Sequence, residues 1–221
     1  MFYSTLFIDL DDTLYPAQNG LWQLIKERIR QYMRERLGIP AEIVPELSQR
    51  YFLEYGTTLR GLQANYSVDM LDYLNYVHDV PLQDYLAPNP ALRAILDSIP
   101  VRKFIFTNAD AAHAQRVLTH LGIESCFAGI VDIVAVAPYC KPMPEAFEIA
   151  RALAGEPDPR RCVMIDDLPR TTRAARACGL CALLYGQAQP HPDADAAFDD
   201  WSLLPALLNG RNGCTPKTFG L

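Results

Sequence analysis

A doubly wound α/β sheet with an all-helical insertion is the fold class this sequence predicts, and three observations predict it. Five short apolar runs are separated mostly by stretches of helical periodicity. One connection between consecutive runs is far too long for a simple crossover. The runs also end in carboxylates, hydroxyls and amides, where ligands of open α/β sheets bind.

The runs are Thr5 to Asp9, Lys103 to Thr107, Gly129 to Val134, Cys162 to Asp166 and Leu180 to Leu184. Continuous apolar runs of this length, without polar alternation, are expected of parallel strands buried on both faces. Helical stretches lie between the last four. After Asp110, for example, Ala114, Val117, Leu118 and Leu121 recur at helical spacing and Gly122 closes the turn. Strand and helix in alternation give a parallel, doubly wound sheet.

About 97 residues lie between Asp9 and Thr107, where a right-handed crossover needs on the order of 30. The surplus must fold on its own. From Gly20 to Val77 it reads as amphipathic helices: Leu21, Leu24, Ile25, Ile29, Tyr32 and Met33, then Tyr51, Phe52 and Tyr55, then Tyr66, Met70, Tyr73, Leu74 and Val77. The expected division is a core domain over 1–15 and 88–210, a helical cap over 16–87, and a flexible polar tail over 211–221.

A chain of 221 residues, half of them apolar, can bury a core without staples. Its formal charge of −6 argues against a nucleic-acid polymer or an anionic membrane as partner. A small anionic substrate is compatible with this acidity if a bound cation offsets it. No apolar run approaches membrane-spanning length, and residues 1–9 lack the basic region and cleavage site of a signal peptide. A cytoplasmic protein, monomer or homodimer, is the expectation. The cysteines at 126, 140, 162, 178, 181 and 214 are expected to stay reduced. Cys178-x-x-Cys181 has no second pair for zinc, and Gly179 between them reads as a helix cap.

The first run ends in Asp9-Leu10-Asp11-Asp12-Thr13. An extended chain alternates sides, so Asp9 and Asp11 can face one ligand while Leu10 points away. Carboxylates this close repel unless a cation sits between them or one holds a proton for use as an acid. The second run delivers Thr107-Asn108 just before a helix, a hydroxyl and an amide suited to phosphate. Lys141 follows the third run, and Pro142 and Pro144 open the next helix behind it. The fourth ends in Asp166-Asp167, a pair that suits a hard cation such as Mg²⁺. Each piece alone could be a turn residue, a cap or a solvated lysine. Four strand ends in a workable chemical order point to a site.

Asp9-x-Asp11-x-Thr13, Thr107-Asn108, Lys141 and Asp166-Asp167 resemble the four motifs of haloacid dehalogenase (HAD)-type phosphatases, over nearly the whole chain. The resemblance implies a Rossmann-like core with a helical cap after the first motif, a Mg²⁺ cofactor and a small phosphorylated substrate. It implies Asp9 as nucleophile and Asp11 as general acid/base. It also implies Mg²⁺ held by Asp9, the Asp11 carbonyl and Asp167, with Asp166 reaching it directly or through water; which of Asp166 and Asp167 binds directly stays open.

Asp9-Leu10-Asp11-Asp12-Thr13-Leu14-Tyr15, Tyr55-Gly56-Thr57-Thr58-Leu59-Arg60-Gly61-Leu62, His78-Asp79 with Pro81-Leu82, and Phe106-Thr107-Asn108-Ala109 further resemble the pyrimidine 5′-nucleotidase branch. That branch commonly carries Asn where this chain has Asp12. Arg60 and His78 then become cap candidates for contacting substrate, against the plainer readings of a surface arginine and a helix-end histidine. The cap tyrosines 51, 55, 66, 73 and 76 could stack on a base, although their spacing favours core packing. Competing functions are a phosphatase for sugar phosphates or phosphoglycolate, a metal-independent 2-haloacid dehalogenase, and a non-catalytic regulatory protein of the same fold. Asp11 and Asp166-Asp167 would have no task in the dehalogenase.

Overall fold

The computed structural model describes residues 2–209, so the tail assigned to 211–221 lies outside the described residues. Six parallel strands form one sheet in the order β3-β2-β1-β4-β5-β6. They are β1 (Thr5–Ile8), β2 (Arg102–Phe106), β3 (Gly129–Val131), β4 (Cys162–Asp166), β5 (Cys181–Tyr185) and β6 (Ala196–Phe198). Side chains alternate across the sheet, so Leu6 and Ile8 enter one apolar layer while Phe7 enters the other. The first layer is closed by α5 (Pro90–Asp97), α6 (Ala111–Leu121) and α9 (Leu204–Leu208), through Leu92, Leu96, Val117, Leu118, Leu204 and Leu208. The second is closed by α7 (Pro144–Leu153) and α8 (Pro169–Ala177), through Ala146, Phe147, Ala150 and Ala175. Helices on both faces of a parallel sheet make this the Rossmann-like, doubly wound architecture.

The insertion after β1 contains α1 (Leu21–Glu35), α2 (Val44–Tyr55), α3 (Thr58–Asn65) and α4 (Met70–Val77). These helices share a third apolar cluster that includes Tyr32, Met33, Leu47, Tyr51, Leu59, Leu62 and Tyr73. Ile133 and Cys140, from the loop after β3, complete that cluster. The cap is thereby fastened to the core. Arg170 of α8 adds to this, donating to the carbonyls of Phe52 and Gly56 at 2.5 and 2.7 Å with its guanidinium 3.5 Å above the Phe52 ring.

Several sequence expectations need correction. The third strand stops at Val131, because Asp132 turns the chain: its carboxylate accepts from the N–H groups of Ala111 and Ala135, which releases Ile133 to the cap. Leu180 precedes β5, since its N–H closes the end of α8 on the Ala175 carbonyl. Strand β6 was not anticipated; three residues among aspartates carry too little apolar signal. The last cap run holds one helix, α4, because Tyr66 does not enter it but caps α3 in an extended conformation, and α3 lies between the expected runs. Cys181 is disulfide-bonded, which corrects the expectation that it stays reduced, whereas Cys126, Cys140, Cys162 and Cys178 are free and Cys214 lies outside the described residues. Composition cannot show which thiols a fold brings together. Among the described residues no helix is long and apolar enough to cross a membrane.

Candidate functional site

The strand order reverses between β1 and β4, and open α/β sheets form a crevice at that point beyond the carboxyl ends. Ile8 registers with Ile105 of β2 and Ile165 of β4, so Asp9 leaves the sheet level with Asp166, and Thr107 stands one residue further out. The Asp9 N–H continues the ladder to the Ile165 carbonyl at 2.9 Å, which fixes where its side chain leaves the sheet.

Lys141 arrives from the loop after β3 and is buried between two carboxylates. Its Nζ donates to Asp9 Oδ1 at 2.6 Å and to Asp166 Oδ2 at 2.7 Å. Burial would lower its pKa, but Asp166 and Asp9 outweigh that and raise it to about 12, so the ammonium is permanent near neutrality. The loop is held by a clamp: Asn108 Nδ2 donates to the Lys141 carbonyl at 3.0 Å and Asn108 Oδ1 accepts the Lys141 N–H at 2.9 Å. The Asn108 side chain, expected to meet phosphate, is thus committed to aiming the lysine. Thr107 Oγ1 accepts from the Ala109 N–H at 2.9 Å, which leaves its own proton to donate. The N–H groups of Asp11, Asp12 and Asn108 find no backbone acceptor among the described residues, and all three residues line the cleft. Free N–H groups clustered in this way suit an anion.

Asp12 has φ 59°, a left-handed conformation that Asn and Asp adopt more readily than other side chains. An Asn-to-Asp exchange here preserves the turn. Burial, then the charge of Asp11, raises the Asp12 pKa to about 6. Asp11 Oδ1 accepts from Tyr15 Oη at 2.5 Å and from His113 Nε2 at 3.2 Å. Burial would raise the Asp11 pKa, but the His113 charge and these hydrogen bonds hold it below the usual carboxylate value.

Asp9, Asp166 and Asp167 each place a carboxylate oxygen within 4.8 Å of the others. Burial, together with Asp166 and Asp167, pushes Asp9 well above the usual carboxylate range against the opposing pull of Lys141. Asp167 rises to about 7, through burial first and Asp166 second. A buried carboxylate set served by one ammonium is a fit for a hard, oxygen-seeking divalent cation such as Mg²⁺. Asp166 already satisfies Lys141 and the Leu168 N–H, so Asp167, which among the described residues accepts from one side chain, Thr13 Oγ1 at 3.5 Å, has the freer oxygens.

The cap closes the cleft to about 350 Å³. Its wall carries Trp22, Ile25 and Ile29 of α1, Phe52 of α2, and Tyr73 and Val77 of α4, with Lys26, Ser48 and Gln49 as polar groups. Of the five cap tyrosines, only Tyr73 lines the cleft. Tyr51 packs edge-on to Tyr55, and Tyr73 and Tyr76 pack edge-on to Tyr32. His78 reaches the cleft, with Nδ1 bound to Asp110 Oδ2 at 2.5 Å. Burial and the adjacent His113 hold its pKa below the usual histidine value.

Arg60 is a correction, because it does not line the cleft. It is buried against the core, where Nη2 donates to the carbonyls of Ile133 and Tyr139 at 2.9 and 2.8 Å. Its neighbours share the task. Thr57 caps α3, and a Cβ on Gly56 would meet Cys140 Sγ at 2.7 Å and the Lys141 carbonyl at 3.0 Å. Tyr55, Gly56 and Arg60 thus brace the loop that carries Lys141. Arg60→Ala should therefore lose about 2 kcal/mol of stability, since the buried Ile133 carbonyl and the half-buried Tyr139 carbonyl lose their donor. It should lower kcat while leaving the ratio of kcat/KM between any two substrates unchanged; a changed ratio would return Arg60 to the substrate.

Residues 3–179 match the family described as haloacid dehalogenase-like hydrolase. Phosphate metabolism protein 8 of Saccharomyces cerevisiae is 31% identical over 193 residues, which are 81% of this chain and 60% of that protein. The chain thus spans about three fifths of this relative's length. Among solved structures, the HAD-hydrolase YfnB from Bacillus subtilis bound to magnesium superposes with a TM-score of 0.61 at 18% identity, covering 94% of this chain and 99% of that one. L-2-haloacid dehalogenase from Xanthobacter autotrophicus with chloropropionic acid covalently bound gives 0.58 at 14%, with the same coverage. β-Phosphoglucomutase from Clostridium difficile gives 0.61 at 19%, covering 96% and 98%. One fold hosts all three names, so chemistry must be argued from the site.

Proposed function

Because the chain belongs to the haloacid dehalogenase-like hydrolase family, we propose that it is a Mg²⁺-dependent phosphomonoester hydrolase acting through an aspartyl phosphate on Asp9, with pyrimidine nucleoside 5′-monophosphates preferred. The observation that carries the hydrolase reading is Lys141 bridging Asp9 and Asp166 beside Asp167. That arrangement combines a nucleophile, a fixed cation and a cation-binding acid pair at the mouth of one sheet.

Asp9 attacks phosphorus in line with the ester oxygen, forming a P–O bond to the carboxylate as the bond to the leaving group breaks. Lys141 offsets charge on the phosphoryl oxygens, and Thr107 with the free N–H groups of Asp11, Asp12 and Asn108 donates to them. The negative charge of a bound phosphate opposes the pull of His113 and favours the protonated form of Asp11, which gives its proton to the leaving oxygen and then takes one from the water that cleaves the aspartyl phosphate. Asp9, Asp167 and the Asp11 carbonyl would hold Mg²⁺, with Asp166 behind them. When bound, Mg²⁺ supplies the positive charge that lets an acidic pocket accept a phosphate dianion.

The core grips only the phosphoryl group, so discrimination falls to the cap. Trp22 and Phe52 offer flat apolar faces, and the Gln49 amide offers one donor and one acceptor edge, which matches the amide-like edge of a single-ring base. Measured beside AMP, glucose 6-phosphate and phosphoglycolate, UMP and CMP should show the highest kcat/KM, and Gln49→Ala should erode the preference for them. Sugar phosphates ahead by tenfold, about 1.4 kcal/mol of transition-state preference, would overturn the nucleotidase reading and leave the phosphatase chemistry standing.

A further inference from the structure

The geometry points to His113 as the residue that positions Asp11, anchoring one carboxyl oxygen so that the other is presented to the leaving group. This rests on the reading of Asp11 as proton carrier. Tyr15 Oη and His113 Nε2 both contact Oδ1, and no donor among the described residues occupies Oδ2. A carboxylate accepts only, so Nε2 carries the proton in this contact. Adding a proton to Oδ1 would displace one of its two donors. The proton therefore goes to Oδ2, the oxygen without a partner, on a residue that lines the cleft.

The histidine is itself immobilised. His113 sits in the first turn of α6, and its N–H is capped by Asp110 Oδ1 at 2.9 Å. Asp110 Oδ2 binds His78 Nδ1, and the His78 ring stacks on the His113 ring with centroids 4.2 Å apart and planes 18° apart. The other His113 nitrogen, Nδ1, is buried without a partner among the described residues. Among the described residues the ring's one hydrogen bond is to Asp11. A residue needed only to fill this core position would be served by leucine, without the cost of an orphaned ring nitrogen. His113 follows the same stripe as Val117 and Leu121, so its sequence position marks it as a polar group facing the core.

The test compares kcat/KM for phenyl phosphate and p-nitrophenyl phosphate, with Mg²⁺, for wild type, Asp11→Asn, His113→Leu and His113→Gln. Phenolate, with a conjugate-acid pKa of about 10, needs the proton as it leaves, whereas nitrophenolate is stable enough to depart without it. His113→Leu should lose about 10²-fold on phenyl phosphate and less than about tenfold on p-nitrophenyl phosphate. His113→Gln, whose Nε2 amide can donate from nearly the same place, should recover to within about tenfold of wild type on phenyl phosphate. The ratio between substrates is independent of the fraction folded, so a destabilised variant still reports. Equal losses on both substrates for His113→Leu, or no recovery in His113→Gln, would overturn the positioning role while Asp11→Asn still shows the split. Equal losses for Asp11→Asn would instead remove the proton-carrier reading and this inference with it.

Discussion

Asp9→Asn is expected to abolish turnover, by about 10⁴-fold or more in kcat, with the protein still folded. The amide keeps the shape of the carboxylate but cannot attack phosphorus, and no neighbouring group stands in its place: Asp166 is held by Lys141 and the Leu168 N–H. Stability should hardly change, because the substitution removes a buried negative charge that Asp166 and Asp167 already oppose, while Lys141 retains Asp166 as its partner. A shift below about 1 kcal/mol, or about 2–4 °C in Tm for a domain of this size, is the expected signature. Asp11→Asn should also be inactive on substrates with poor leaving groups, for want of the proton. Turnover of Asp9→Asn near the wild-type rate in a clean preparation would sink the covalent mechanism.

Exhaustive chelation is expected to remove activity, and Mg²⁺ to restore it, with Ca²⁺ a poor substitute because it takes more oxygen ligands at longer distances and holds them in a looser shell. A readout independent of turnover exists. Mg²⁺ at about 100 times its Kd should stabilise the fold by about 2.7 kcal/mol through binding linkage alone, a rise of about 5–10 °C in Tm. The shift should vanish in Asp167→Asn, since the aspartate with the freest oxygens is lost. Full activity after chelation, or a Tm indifferent to Mg²⁺, would reject the metal reading and revive the metal-independent dehalogenase.

The sheet was legible because its strands are buried on both faces, so their apolar runs stand out without any alternation to decode. The core motifs were legible for a related reason. Asp9 and Thr107 follow directly on their strands and Asp166 ends β4, and backbone ladders set the register of all three strands, so sequence position translates into spatial position with little freedom. Lys141 is brought to the same place, although nine residues separate it from β3 and a side-chain clamp from Asn108 sets its aim.

The cap was legible as helices and illegible as a binding surface. Arg60 and four of the five tyrosines face inward or away from the cleft, while Trp22, Lys26, Gln49 and Phe52, which line it, carry no distinguishing pattern. A helix period tells which residues share a stripe, but not whether that stripe meets the cap's own core or the cleft beneath it. The sequence by itself determined the fold class and which acids, hydroxyl and lysine stand at or beyond the strand ends. Only the tertiary structure decided that Asn108 aims a lysine, that Arg60 braces its loop and that His113 reaches Asp11 across 102 residues of chain. Those roles are contacts between segments distant in sequence, and they exist only once packing has brought the segments together.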